Sequence, residues 1–219
     1  MERIFWARPR KEPPEVLCLP EVVLRRYTAA DVPLLFEAAY ESRGPGFTEW
    51  MPWCHQSYTL EESSEYVLSR EQAWGQGDEY AFGVFDSATG RYLGGSGINQ
   101  IQKAHGYGNL GYWIRRSAWG HGYAVAATLA TARFAFQELS LVRAEIVIAV
   151  GNEKSRRVAE KAGAHPEGVL RNRLRLGGTV YDAHMYSLVP DSSVLFASRK
   201  RGVEGDSQER PAWPLPSRP

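Results

Sequence analysis

Trp113-Ile114-Arg115-Arg116-Ser117-Ala118-Trp119-Gly120-His121-Gly122-Tyr123-Ala124-Val125-Ala126-Ala127 carries an apolar strand through a short glycine-punctuated turn directly into an alanine-rich helix. Gly120 and Gly122 let the backbone come close to a ligand. The first N–H groups of a helix have no partner within it, so they and the helix dipole face whatever sits at the turn. That layout suits an anion, most obviously a phosphate. A tight strand-to-helix connection, with glycines serving turn geometry alone, reads equally well from these residues by themselves. The surrounding chain has to decide.

Working outward, the 219 residues are 43% hydrophobic and 23% charged, the composition of one folded domain with a sizeable core. The 26 basic and 25 acidic residues leave a formal charge of +1, so nothing global recruits nucleic acid or an anionic membrane. No apolar run approaches the ~20 residues of a membrane span, and the amino end lacks the apolar core of a secretion signal, so a cytoplasmic location is expected. Cys18 and Cys54 are too few for a disulfide framework. The histidines at 55, 105, 121, 165 and 184 form no ligand-spaced pair, and neither disulfide nor metal is expected.

Residues 1–15 are rich in Pro, Arg and Glu and read as a flexible arm, and residues 191–219 read as a flexible Pro/Arg-rich tail around a domain at 16–190. The run Arg199-Lys200-Arg201 is too short to be given a function. Within the domain, residues 21–27 alternate as a strand, and Thr28 with Asp31 resembles a capping box opening a helix to about Glu41. Thr59 and Glu62 form a second box, for a helix stopped by Gly75 and Gly77. Strands follow at 80–85, 92–101 and 108–115, joined by Ser-Ala-Thr-Gly and Lys-Ala-His-Gly turns. The helix after the glycine turn spans 124–139, with Val125, Leu129, Ala132, Phe136 and Leu139 spaced to bury one face. A β-branched strand at 143–150, a helix capped by Asn152 and ended by Gly163, and a hairpin of 169–176 and 179–188 about Gly177-Gly178 complete the domain. This order predicts a mixed α/β fold with a mostly antiparallel twisted sheet and helices on both faces.

Three motifs in this order resemble the GNAT acyltransferase superfamily, and within it the RimJ/RimL-type ribosomal-protein N-terminal acetyltransferases. They are Gly111-Tyr112-Trp113-Ile114 leading into Gly120-His121-Gly122-Tyr123-Ala124, then Asn152-Glu153-Lys154-Ser155 continuing to Glu160-Lys161-Ala162-Gly163, and Met185-Tyr186-Ser187-Leu188 on the last strand. The resemblance covers about residues 20–190. It implies acetyl-CoA as acyl donor and a sheet splayed at the acyl-CoA site. The N–H groups from about Ala118 to Ala124, His121 and Tyr123 included, would hold the CoA pyrophosphate without a metal. Arg115 and Arg116 could add charge there. Backbone from Trp113 through Ile114 to Arg115 would pair with the pantetheine amides and Asn152 would hold that arm from the other side, while Arg157 or Lys161 could meet the ribose phosphate.

The same resemblance places Ser155 near the thioester sulfur, as a group to polarise or protonate the departing thiolate. Helix capping and first-turn satisfaction explain Asn152 and Ser155 on their own. Two positions depart from the family pattern. Ser117 stands where Gln or Arg usually precedes the first glycine, and Asn109 stands where many members carry a glutamate general base. An amide takes no proton, which favours an α-amine of pKa about 8 over a lysine near 10.4.

On the acceptor side, Glu49 could hold a cationic amine between Trp50 and Trp53, although an aromatic-rich loop is more often packing. Asp182 could orient the acceptor or pair with Arg173 or Arg175. The expected activity is acetyl transfer to the N-terminal amine of a protein or peptide. The alternatives are a small-amine acetyltransferase and, because of Asn109, a CoA-binding regulatory domain without catalysis. No interface signature sets the oligomeric state, and a homodimer stays open.

Overall fold

The computed structural model describes residues 12–190. Most of the expected arm, the expected tail and the Arg199-Lys200-Arg201 run lie outside the described residues. Twelve principal elements follow in the order β1 (Val16–Cys18), β2 (Val22–Arg26), α1 (Val32–Ser42), α2 (Leu60–Gln76), β3 (Tyr80–Asp86), β4 (Tyr92–Gln102), β5 (Tyr107–Ile114), α3 (Tyr123–Gln137), β6 (Arg143–Ala149), α4 (Glu153–Lys161), β7 (His165–Leu176) and β8 (Thr179–Leu188). Single 3-10 turns at Ala29–Asp31 and Arg116–Ala118 join two of them.

The strands form one mixed sheet in the order β1-β2-β3-β4-β5-β6-β8-β7. All neighbours are antiparallel except β5 and β6. The expected architecture is therefore the observed one, with two additions. The short edge strand β1 falls where periodicity gives no signal, and β7 starts at His165 rather than Val169. Pro166 and Gly168 in β7 sit at a register shift, which an edge strand tolerates because its outer side owes no ladder bonds.

Side chains alternate between two cores. On the α3 face, Tyr80, Phe82 and Val84 of β3 pack with Leu110 of β5, Ile146 and Ile148 of β6 and Phe134 of α3. On the opposite face, Tyr27, Leu35, Phe47, Tyr58, Ala81 and Phe85 form a second cluster under α1. Because β3 is covered on both sides, Tyr80–Phe85 is nearly continuously apolar.

The buried face of α3 is broader than the stripe expected of it. Ala132 and Leu139 of that stripe are buried and Val125, Leu129 and Phe136 partly so, while Ala126, Ala127, Ala130, Thr131 and Phe134 are buried as well. Small residues let the helix lie close to β4, where Ser96 Oγ and Thr131 Oγ1 are 2.8 Å apart. Close approach, rather than bulk, decides which stripe faces inward.

The feature that creates a site is the β5–β6 pair. Its ladder has three rungs, Tyr107 to Arg143, Gly108 to Ala144 and Asn109 to Glu145. Beyond Asn109, β5 continues beside β4 alone and β6 beside β8 alone, so the sheet opens into a slot. The amino ends of α3 and α4 flank its wide end.

Candidate active site

The glycine turn places a row of amides at the slot. The Ala126 N–H to Gly122 carbonyl bond, 3.1 Å, is the first of α3, leaving the N–H groups of residues 120–125 ahead of it. Gly120 and Gly122 have φ of 86° and 83°, and a Cβ at either would meet no atom within 4 Å. The turn therefore has a backbone that favours glycine and open space in front of it. The expected row is shorter at its start, because Ala118 N–H and Trp119 N–H are already bonded to the Arg115 and Arg116 carbonyls. His121 offers its amide, with an exposed ring 5.9 Å from that of Tyr123.

Three cations line the facing wall. Lys154, Arg157 and Lys161 recur at helical spacing along α4 and border a cleft of about 360 Å³ that Tyr112, Trp113 and Ile114 also line. Lys154 was not among the expected residues. Its Nζ lies 3.8 Å from the centre of the Trp119 ring, which holds the ammonium beside the glycine turn. Its place one turn before Arg157 was the available sequence signal. The Asn152 side chain caps α4 by accepting from Ser155 N–H at 3.2 Å and also borders the cleft.

Arg115, Arg116 and Ser117 do not border it. Arg115 is 4% exposed and its guanidinium is bound by Glu37, at 2.7 Å, and by Glu41 of α1. Burial works against the charge of Glu41, but hydrogen bonds from Arg115 and Ser117 outweigh it and hold its carboxyl at about 2. Arg116 Nη2 donates to the carbonyls of Ser42, the last residue of α1, and of Pro45 just after it, at 3.3 and 3.0 Å. The Ser117 amide donates to Glu41 and its hydroxyl accepts from Arg91. These residues tie the turn to α1, so the phosphate role expected of the two arginines is corrected: carboxylates and carbonyls already hold them.

At the centre of the slot, Tyr112 meets Ser155. The phenol oxygen lies 3.0 Å from the Ser155 carbonyl, to which it donates, and 3.1 Å from Ser155 Oγ. Burial pushes the phenol up to about 12, against a small opposing effect of Ser155, so it stays protonated at any physiological pH. Tyr112 belongs to the first motif, whose resemblance assigns it no role. Alternation was the missed signal, since Leu110, Tyr112 and Ile114 all face the α3 side.

On the other face, Asn109 Nδ2 donates to Asn99 Oδ1 at 2.9 Å, an amide pair with no carboxylate in it. The loop between α1 and α2 packs on the same face of the sheet, against Trp113 further along β5. Trp53 packs at 5.2 Å from the Trp113 ring and 5.5 Å from Tyr58, so it walls that face while serving as packing. Trp50 lines the cleft and lies 5.8 Å from the Tyr181 ring, bridging the loop to β8. Glu49 is exposed and forms no ion pair among the described residues. Asp182 accepts from the Asn172 N–H at 2.8 Å, fixing an irregular part of β7, and pairs with neither Arg173 nor Arg175.

Comparison with known proteins agrees with this geometry. The family described as acetyltransferase (GNAT) domain matches residues 21–165. The Bacillus subtilis (strain 168) protein named Probable N-acetyltransferase YjcK is 30% identical over 136 residues, 61% of this chain and 75% of that one. The structure of a "putative ribosomal-protein-serine acetyltransferase" from Vibrio cholerae superposes with a TM-score of 0.71 at 27% identity, over 82% of this chain and 100% of that one. The RimL ribosomal L7/L12 alpha-N-protein acetyltransferase, solved with coenzyme A, shares the fold at a TM-score of 0.74 and 21% identity, over 81% of this chain and 99% of that one. With a matching family across most of the described residues and a slot of this construction, the chain belongs to the GNAT acetyltransferases and is an N-acetyltransferase.

Proposed function

We propose that this acetyltransferase transfers the acetyl group of acetyl-CoA to the N-terminal α-amine of a protein or peptide, by direct attack in a ternary complex. The observation that carries the reading is the slot between β5 and β6, which joins the cationic α3–α4 side to the aromatic α1–α2 side. The residues present fit the donor. Amides 120–125 and the α3 dipole suit a diphosphate, and Lys154, Arg157 and Lys161 suit the ribose phosphate. The β5 edge beyond Asn109, free of β6, suits the amides of the pantetheine arm, with Asn152 opposite.

Acetyl transfer needs charge stabilisation on the departing sulfur. A thiolate near pKa 8.5 is a far weaker base than the Tyr112 phenolate, so Tyr112 surrenders no proton to the sulfur and instead holds Ser155, whose hydroxyl hydrogen-bonds the sulfur. With the Tyr112 proton on the Ser155 carbonyl, the Ser155 hydroxyl proton remains for this. The aromatic loop keeps water from the thioester, with Phe47, Trp50 and Met51 bordering the cleft. An α-amine is favoured as acceptor because its pKa of about 8 leaves a usable neutral fraction without a strong base at position 109. The assignment of the Vibrio cholerae relative to ribosomal proteins points the same way.

Thiol release from acetyl-CoA, followed with free-N-terminus peptides, Nα-blocked lysine peptides and small amines, tests the reading. Release with the free-N-terminus peptides is expected. Release with small amines alone contradicts it, and CoA binding without release in any mixture supports a regulatory domain.

A further inference from the structure

Proton removal from the attacking amine is the step for which Asn109 offers no group, and the carboxylate of Glu145 stands one strand across from it. Asn109 and Glu145 are partners in the last rung of the β5–β6 ladder. Leu110 on β5, and Ala144 and Ile146 on β6, point into the α3-side core, so Asn109 and Glu145 both point to the opposite face. That is the face walled by Trp53 and Trp113, to which the acceptor is assigned above. Past this rung the strands separate, so Glu145 sits at the closed end of the slot.

Its two oxygens differ. Oε1 accepts from Arg143 Nε at 2.9 Å, while Oε2 receives no hydrogen bond from the described residues, and the side chain is 19% exposed. Glu167, the second carboxylate on Arg143, is fully engaged. Arg143 Nη1 and Ser187 Oγ bind its Oε1 at 2.5 and 2.6 Å, and Arg143 Nη2 binds its Oε2 at 2.7 Å. Arg143 first, then Ser187, hold the Glu167 carboxyl at about 2. The groups around Glu145 are thus Arg143 on its own strand, neutral Asn109 on β5, Ser187 on β8, and Glu167 and His165 on β7.

We propose that Glu145, through Oε2, is the proton acceptor for the attacking amine, an assignment that rests on the acetyl-transfer reading. As the amine nitrogen bonds to the carbonyl carbon, one N–H proton passes to Glu145. The C–S bond breaks with its electron pair on sulfur. The proton then reaches the thiolate through solvent, leaving amide, thiol and an ionised Glu145. Arg143 orients the carboxylate by its Oε1 and leaves Oε2 to the reaction.

The test is Glu145→Gln, whose amide oxygen still accepts from Arg143. At pH 7 its kcat/KM should fall about 100-fold, within the range for general-base catalysis. The deficit should shrink to less than about tenfold at pH 9, because hydroxide, about 100-fold more concentrated there than at pH 7, takes up the same proton. Its CoA affinity should match wild type, which also reports correct folding. Glu145→Asp should recover part of the rate, and Glu167→Gln should keep the wild-type pH profile. Turnover of Glu145→Gln within threefold of wild type at pH 7, or a deficit equal at both pH values, overturns the assignment while leaving acetyl transfer intact. Absence of wild-type thiol release overturns both.

Discussion

The donor wall of the slot and its acceptor wall are built on different principles. Around α3 and α4 the groups proposed to hold the donor are backbone amides held by glycine geometry, with cations repeated along one helix. Across the sheet, the wall consists of side chains from distant segments: Trp53 from the α1–α2 loop, Asn99 from β4, Asn109 and Trp113 from β5, and Glu145 from β6. A backbone site tolerates side-chain drift but not loss of glycine, whereas a side-chain site can be retuned residue by residue. The contrast explains how Ser117 and Asn109 can both depart from the family pattern with different consequences. The first leaves the amide row intact, and the second leaves proton acceptance, in the proposal above, to a neighbouring strand.

The contrast breaks if the glycine turn proves dispensable. Gly122→Val puts a β-branched residue at φ 83° with its Cβ toward the cleft. Leaving the left-handed geometry relieves about 1–2 kcal/mol of strain in the free protein, and CoA binding has to restore it, so affinity measured by calorimetry should fall by about tenfold or more. Next in size, Tyr112→Phe removes the hydroxyl beside Ser155. It should lower kcat by about tenfold, the worth of one hydrogen bond, while CoA affinity stays within about twofold. Ser155→Ala should resemble it. Lys154→Ala should weaken CoA binding by only a few-fold, and by less at high salt, because exposed charges are screened within about 10 Å at 0.1 M.

The smallest effect on the donor is expected at Arg115. Arg115→Met should leave CoA affinity unchanged while lowering stability by about 2 kcal/mol, the scale of hydrogen bonds to charged groups. Its pH signature is specific. Glu41 has a folded-state pKa of about 2 against an ordinary 4.5, so its contribution is complete above about 4.5 and lost as pH falls towards 2. Denaturant titrations should show the wild type losing more stability than Arg115→Met across that window.

The legibility of the sequence follows the same divide. The glycine turn, the Thr59–Glu62 capping box and the Asn152 cap are local, and each appears where the spacing puts it. The three-rung ladder is not local, because the separation of β5 from β6 depends on partners far apart in the chain, and only the family resemblance suggested it. Arg115 illustrates the limit. A basic residue next to a phosphate-type turn looks like a ligand group in sequence, and only α1 packing reveals that Glu37 and Glu41 hold it. Tyr112 and Glu145 escaped for the complementary reason, since the roles proposed for them arise from neighbours on α4 and β5 rather than from their own motifs.

Amide hydrogen exchange with and without CoA tests the central claim most directly. Protection should rise at residues 120–125 and along the β5 edge at 112–114, with the α1–α2 loop slowed less. Unchanged exchange at 120–125 while CoA binds and protects another surface would contradict the account.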